Sequence, residues 1–179
     1  MNVVFLDRDG VINRLVKRDG GWHSPLIYGD FSLLDGVETA IRSLAESNFR
    51  VVVVTNQPEI SRGRLPIVEL EKMHHDLLKL SIEAVLYCPH DSSHLCNCRK
   101  PRTGLMLEFL SRQVEPPSHS WMVGDRSSDL IAGRRVGCRT IWISTGQQVL
   151  PPPLELMDFE ASSLLSATAI IQARTSAQT

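Results

Sequence analysis

Long apolar runs are missing from this chain. Near the N-terminus only Val3-Val4-Phe5-Leu6 stand together before Asp7, and no later run approaches the ~18 residues that a membrane-spanning helix needs. A soluble, cytoplasmic protein without a signal peptide or membrane partner is expected. An excess of either charge is missing too: 19 Lys and Arg face 20 Asp and Glu, so no duplex nucleic acid or anionic membrane surface is implied as a general partner. Aromatic residues are scarce, at 6%, and do not interleave with basic ones, which counts against single-stranded nucleic acid. Cysteine is scarce as well, with four in the chain. In a reducing compartment these thiols stay free or sit on a metal. No internal repeat is visible.

What is present is a rhythm. Within 179 residues, enough for one compact domain with a real core, short apolar runs recur at Val3–Leu6, Val51–Val54, Ala84–Tyr87, Trp121–Val123 and Thr140–Ile143. Each is apolar throughout, as a strand buried on both faces of a parallel sheet would be. Between them lie stretches of helical period. One follows Asp35-Gly36, with Asp35 as its expected N-cap; one follows Pro66, expected at the first helical position. Others span about Thr103 to Gln113 and about Ser127 to Val136, with Gly137 as a stop. The alternation predicts a doubly wound, Rossmann-like α/β fold of three layers. Residues 1–146 form the core, with a loop at 88–100, and 147–179 supply a linker at Pro151-Pro152-Pro153, a last helix around Phe159 to Ala173, and a polar tail.

Open parallel sheets place ligands beyond the carboxyl ends of their strands. The first run ends in Asp7-Arg8-Asp9-Gly10, the second in Thr55-Asn56-Gln57, the third leads to Lys100, and the fourth ends in Gly124-Asp125-Arg126 with Asp129 beyond. Asp7 and Asp9 are two apart, so on continued strand geometry their carboxylates share a face and repel unless a cation or a proton intervenes. Taken singly, such residues are turns, caps or solvated charges. Their convergence on one sheet edge makes them a candidate site.

Cys88, His90, Cys96 and Cys98 form C-x-H-x5-C-x-C, four ligands of the soft and borderline types that tetrahedral Zn²⁺ prefers. Four protein ligands leave no open position, so such a zinc is structural. It would fix Arg99 and Lys100 at the mouth of the strand-end site. His94 is expected at the surface, with a place as substitute ligand as the alternative, and Cys138 as a small buried hydrophobe.

FLDRDG, VVTNQ, CRKP and GDRSSD, in this order across residues 3 to 146, resemble the four motifs of haloacid-dehalogenase (HAD) superfamily phosphatases of subfamily IIIA. With YCPH and CNCRKP the resemblance narrows to the D-glycero-D-manno-heptose-1,7-bisphosphate 7-phosphatases and their sister histidinol-phosphate phosphatases. It implies phosphomonoester hydrolysis through an aspartyl-phosphate, with Asp7 as nucleophile and Asp9 as general acid and base. It further implies Mg²⁺ held by the Asp7 and Asp125 carboxylates and the Asp9 backbone carbonyl, with Asp129 in support. Thr55, Asn56 and Lys100 would bind the phosphoryl group, and Gln57, Arg99, Arg126 and Asn13, with a flap around Asp19 to Trp22, the rest of a small phosphorylated sugar. A second phosphate asks for further cations, for which Arg62 and Arg64 stand behind Arg99 and Arg126. Pro58-Glu59 departs from the family pattern by placing an acid near an anion site. The intervals between motifs leave no room for a separate cap domain, so the site should be open, and a monomer is expected. An open site also admits larger phosphoesters, so a nucleic-acid 3′-phosphatase is an alternative, as is an inactive metal-binding module on the same fold.

Overall fold

The structure is a computed structural model that describes residues 2–112, 120–144 and 151–176, the side chain of Ser176 excepted. A six-stranded parallel sheet forms its centre, in the order β5-β4-β1-β6-β7-β8. The strands are β1 (Asn2–Leu6), β4 (Phe49–Asn56), β5 (Ala84–Cys88), β6 (Trp121–Gly124), β7 (Arg139–Ile143) and β8 (Phe159–Ala161). A hairpin of β2 (Val16–Arg18) and β3 (Gly21–His23) stands apart. The helices are α1 (Val37–Glu46), α2 (Ile67–Leu78), α3 (Gly104–Ser111), α4 (Ser127–Arg135) and α5 (Leu164–Ser176).

Successive residues of each central strand point to opposite layers. Val4 and Leu6 of β1, with Val51 and Val53 of β4, pack among Ile41 and Leu44 of α1, Leu77 of α2, and Ala167 and Ile171 of α5. Val3 and Phe5, with Val52 and Val54, pack instead against Met106 and Phe109 of α3 and Ala132 of α4. Continuous apolar runs are what a sheet covered on both faces requires, which is why these strands were legible. The edge strand β5 is only half buried apart from Cys88. Cys138 is buried in the second layer, its thiol pushed up to about 12 by burial.

Several expectations need correction. Asp35 does not cap α1: Gly36, at φ +78°, occupies the N-cap, and the exposed Asp35 carboxylate pairs with Arg14. Pro66 is the N-cap of α2 rather than its first residue. Phe159 belongs to strand β8, not to the last helix, which begins at Leu164. Three residues bonded to one neighbour carry too little pattern to betray a strand. The end of the third helical stretch at Gln113, the boundary at 146–147 and the tail beyond 176 lie outside the described residues. Pro151–Pro153 have no regular secondary structure. No cap domain is present among the described residues. The β2–β3 hairpin, turning through Asp19 (φ 51°) and Gly20 (φ 77°), stands over the sheet edge instead.

Candidate active site

A cleft of about 480 Å³ opens at the carboxyl ends of β1, β4 and β6. Its floor includes Asp7, Asp9, Thr55, Asn56, Lys100 and Asp129, and its walls include Arg99 and Arg126.

Asp7 continues β1, its N–H bonded to Val123 O of β6 at 2.9 Å. After it the chain turns sharply, the Arg8 carbonyl accepting from the N–H groups of Val11, Ile12 and Asn13. Gly10 allows this turn at φ +86°, and a Cβ there would meet Asp125 Oδ2 at 2.5 Å. Gly124 serves the other side, where a Cβ would stand 2.3 Å from that of Asp129. The first turn of α4 can therefore close on the sheet end. Asp129 accepts from Arg126 N at 3.0 Å and so caps that helix.

Lys100 is buried and its ammonium is fully used. It reaches Asp7 Oδ1 at 2.8 Å, Asp129 Oδ1 at 2.8 Å and Val54 O at 2.6 Å. The two carboxylates raise its pKa despite burial. Asn56 fixes the Lys100 backbone from both sides, with its side-chain amide on Lys100 O at 3.1 Å and its oxygen on Lys100 N at 3.0 Å. The Asn56 side chain, expected on phosphate, is thus spent on placing the lysine.

Ligand oxygens of Asp7, Asp125 and Asp129 lie within 4.8 Å of one another. Among the described residues neither Asp125 oxygen has a hydrogen-bond partner, although both are buried, and Arg126 Nε comes no nearer than 4.0 Å. Burial, with the neighbouring Asp7 and Asp129 charges, pushes the Asp125 carboxyl up to about 8. Burial likewise raises Asp7 to about 6 against the opposing pull of Lys100. Buried carboxylates left unpaired are costly, and a hard divalent cation such as Mg²⁺ would relieve that cost. The donor set fits such an ion.

Asp9 is treated differently. Arg8 Nη2 donates to both of its oxygens at 2.9 and 3.0 Å, Asn13 Nδ2 to Oδ1 at 3.0 Å, and Gln57 Nε2 to Oδ2 at 2.8 Å. Burial alone would raise this carboxyl, but the Arg8 charge and these donors outweigh it and hold the pKa below the usual carboxylate range. Asn13 and Gln57, expected as substrate contacts, are fully buried behind Asp9 and do not line the cleft. Gln57 also donates to Thr55 Oγ1 at 2.9 Å.

The four residues at the end of β5 come together as their spacing requires. His90 Nδ1 lies 3.2 Å from Cys98 Sγ, Cys88 Sγ lies 3.8 Å from Cys96 Sγ and 3.1 Å from Cys98 Sγ, and all four ligand atoms fall within 4.8 Å. No disulfide joins them. Tetrahedral zinc with Zn–S of about 2.3 Å sets sulfurs about 3.8 Å apart, so the cluster is compatible with that ion. Burial raises Cys88 to about 12, whereas hydrogen bonds from Arg99 N–H and the neighbouring thiols outweigh burial at Cys96 and bring it to about 6. His94 is half exposed, pairs with Asp91 and packs its ring on that of His90 at 5.5 Å between centroids, without being one of the four grouped ligands. Arg99 donates to His90 O at 3.1 Å, and Arg102 to Cys96 O at 2.7 Å, tying the loop to the basic residues after it.

On the rim, Glu59 takes up two of the expected cations. It pairs with Arg62 at 2.7 Å and with Arg64. Arg62 faces the cleft, but Arg64 does not line it. The hairpin adds Arg18, Trp22 and His23 to the wall. Trp22 belongs to the flap expected from the resemblance; Arg18 and His23 on either side of that flap lie outside the expectation, although Asp19-Gly20 is a two-residue hairpin turn signal.

The family model described as "HAD-hyrolase-like" matches residues 97–152. A D-glycero-beta-D-manno-heptose-1,7-bisphosphate 7-phosphatase of Neisseria meningitidis is 33% identical over 153 residues, covering 82% of this chain and 79% of that one. A D-glycero-alpha-D-manno-heptose-1,7-bisphosphate 7-phosphatase of Mycobacterium tuberculosis is 40% identical over 136 residues, covering 71% and 68%. A crystal structure of D,D-heptose 1,7-bisphosphate phosphatase from B. bronchiseptica, complexed with magnesium and phosphate, superposes with a TM-score of 0.80 at 26% identity, over 97% of this chain and 99% of that one.

Proposed function

The chain belongs to the HAD-like phosphatases, among the relatives named heptose-1,7-bisphosphate 7-phosphatases, and from that premise we propose that it removes the 7-phosphate of a D-glycero-D-manno-heptose 1,7-bisphosphate through an aspartyl-phosphate. The observation that carries the chemistry is the buried assembly of Asp7, Lys100, Asp129 and the unpartnered Asp125 at one end of the sheet. Asp7 and Asp125, with the Asp9 backbone carbonyl, would hold Mg²⁺, which when bound supplies charge compensation for the phosphoryl oxygens.

Asp7 attacks phosphorus as the bond to the leaving oxygen breaks, and that oxygen takes a proton from Asp9, which its donors hold ionised before substrate arrives and which would take up that proton as the anionic substrate binds beside it. Asp9, now ionised, accepts a proton from the water that attacks the aspartyl-phosphate, which releases phosphate and restores Asp7. Thr55 lines the cleft and would donate its hydroxyl to the oxygens over which transition-state charge is spread, and Lys100 would turn one of its three bonds, to Asp7, Asp129 or Val54 O, toward them as that charge develops. Lys100 also keeps Asp7 ionised and aimed.

The cleft supports a sugar bisphosphate better than a simple phosphate. Its volume of about 480 Å³ and its rim of Arg18, Arg99 and Arg126 suit a second anionic group. The CxHx5CxC loop would hold a structural zinc. A cytoplasmic monomer with no membrane or nucleic-acid partner accords with the balanced charge. No helix among the described residues is long and apolar enough to cross a membrane.

The test is phosphate release, with Mg²⁺ present and zinc retained, from both anomers of the heptose bisphosphate, histidinol phosphate and a 3′-phosphorylated oligonucleotide. The heptose bisphosphate should turn over fastest and leave heptose 1-phosphate. Faster turnover of histidinol phosphate or the oligonucleotide, or release from none, overturns the assignment.

A further inference from the structure

Arg8 stands between the two cleft aspartates, yet it has no exposed surface and does not line the cleft. Its Nε and Nη2 approach Asp9 Oδ1 at 3.2 and 2.9 Å, and Nη2 also reaches Oδ2 at 3.0 Å. Its remaining nitrogen, Nη1, lies 3.3 Å from His74 Nε2. A guanidinium can only donate, so Nε2 must accept, and the imidazole is the neutral tautomer with its proton on Nδ1. His74 projects from α2, is 8% exposed and packs at a tilt on the Tyr87 ring of β5, 5.5 Å between centroids. Side-chain contacts thus run from α2 through Arg8 to the Asp9 carboxylate.

Burying an ion pair is a poor way to stabilise a fold, since desolvation consumes most of the attraction. A forked donor does, however, fix the plane of the carboxylate it grips. Asp9 must present one oxygen to a leaving group within hydrogen-bond reach, and small misplacements of such a group are expensive. Asn13 and Gln57 grip its two oxygens separately. Among the described residues Arg8 alone spans both, and His74 Nε2 holds the nitrogen of Arg8 that Asp9 leaves over.

We propose that His74 is a positioning residue for proton transfer: through Arg8 it sets the plane of the Asp9 carboxyl, so that the proton passes to the leaving oxygen as the phosphorus–oxygen bond breaks and the bond to Asp7 forms. This rests on the assignment of Asp9 as proton donor made above. The role is distinct from holding the fold together, because it matters only when the leaving group needs a proton. A sugar alkoxide needs one; a nitrophenolate does not.

The experiment compares kcat/KM, which reports only the steps through transfer to Asp7, for the heptose bisphosphate and for p-nitrophenyl phosphate. His74→Leu should lose about tenfold or more on the sugar phosphate and less than about threefold on the aryl phosphate. His74→Gln, whose side-chain oxygen reaches about where Nε2 stands, should restore the sugar-phosphate rate to within about threefold. His74→Asn, which is too short, should behave like the leucine variant and keeps the test open if His74→Leu does not fold. Asp9→Asn should show the same substrate bias at a larger size, on the order of 100-fold. Equal losses on both substrates, no loss on either, or failure of glutamine to rescue would overturn the role of His74. An Asp9→Asn enzyme without the bias would instead overturn the proton-donor assignment, and the His74 proposal with it.

Discussion

The four ligand atoms of Cys88, His90, Cys96 and Cys98 come from one loop of eleven residues, whereas Asp7 and Asp125, at the ends of β1 and β6, are more than a hundred residues apart in sequence. The loop atoms face one another, while Asp7 and Asp129 line a cleft with Asp125 buried beside them. The loop ligands are partly exposed apart from Cys88; the carboxylates are buried, and Asp125 keeps both oxygens without a donor among the described residues. A closed set of soft ligands ends its usefulness when the metal is bound. An open set of hard ones keeps room for a substrate oxygen. The two sites are joined, because Arg99 rests on the His90 carbonyl and Lys100 follows it.

The sharpest way to break this contrast is at the lysine that links the two. Lys100→Ala removes the only cation bonded to Asp7 and Asp129 among the described residues. Loss of one preorganised donor should lower kcat/KM by about 10²- to 10³-fold, and unpairing the buried charges should cost roughly 3 kcal/mol in a denaturant titration. A variant retaining most of its rate would mean that Lys100 only fills space.

Removing the loop metal should do less, and in a different way. Elemental analysis should find about one zinc per chain. After its chelation, with Mg²⁺ restored, limited proteolysis should cut within residues 88–102, while kcat/KM falls roughly 10- to 100-fold through displaced Arg99 and Lys100. Withdrawing Mg²⁺ alone should abolish turnover and leave the loop protected. If both treatments give the same proteolytic pattern, the two sites are not separate.

The smallest effect expected is on stability against pH. Asp7 and Asp125 are raised to about 6 and about 8 from 3.8 in the metal-free fold. Their protonated forms are therefore tolerated at low pH, and the metal-free protein loses stability as pH rises from about 4 through about 8. Mg²⁺ binds the ionised forms, so its stabilisation should grow over the same window. The rise in Tm on adding Mg²⁺ should be larger by roughly 4 °C at pH 8 than at pH 5. Equal increments would remove the unpartnered carboxylates from the metal site.

The sequence revealed the parts of this molecule that are local. Buried parallel strands announce themselves as unbroken apolar runs, and the residues that end them are adjacent in sequence, so Asp7, Thr55 and Asp125 could be found without coordinates. The cysteine loop was equally plain, since its ligands share one stretch. What escaped was pairing at a distance. Nothing near Arg8 announces His74, 66 residues away; Glu59 was visible as an acid, but not its grip on Arg62 and Arg64. Asn13 and Gln57 carried the right chemistry for a substrate, and only the fold shows that their amides turn inward to Asp9. Strand β8 owes its conformation to β7 more than to its own three residues.

The account depends above all on Asp7 becoming phosphorylated. Rapid quenching of Mg²⁺-loaded enzyme with labelled heptose bisphosphate, borohydride reduction and peptide mass spectrometry would test this directly. The account predicts reduction of Asp7 to homoserine, with no such product from the Asp7→Asn variant. Reduction at another carboxylate, or rapid turnover with no labelled protein at any quench time, would contradict it.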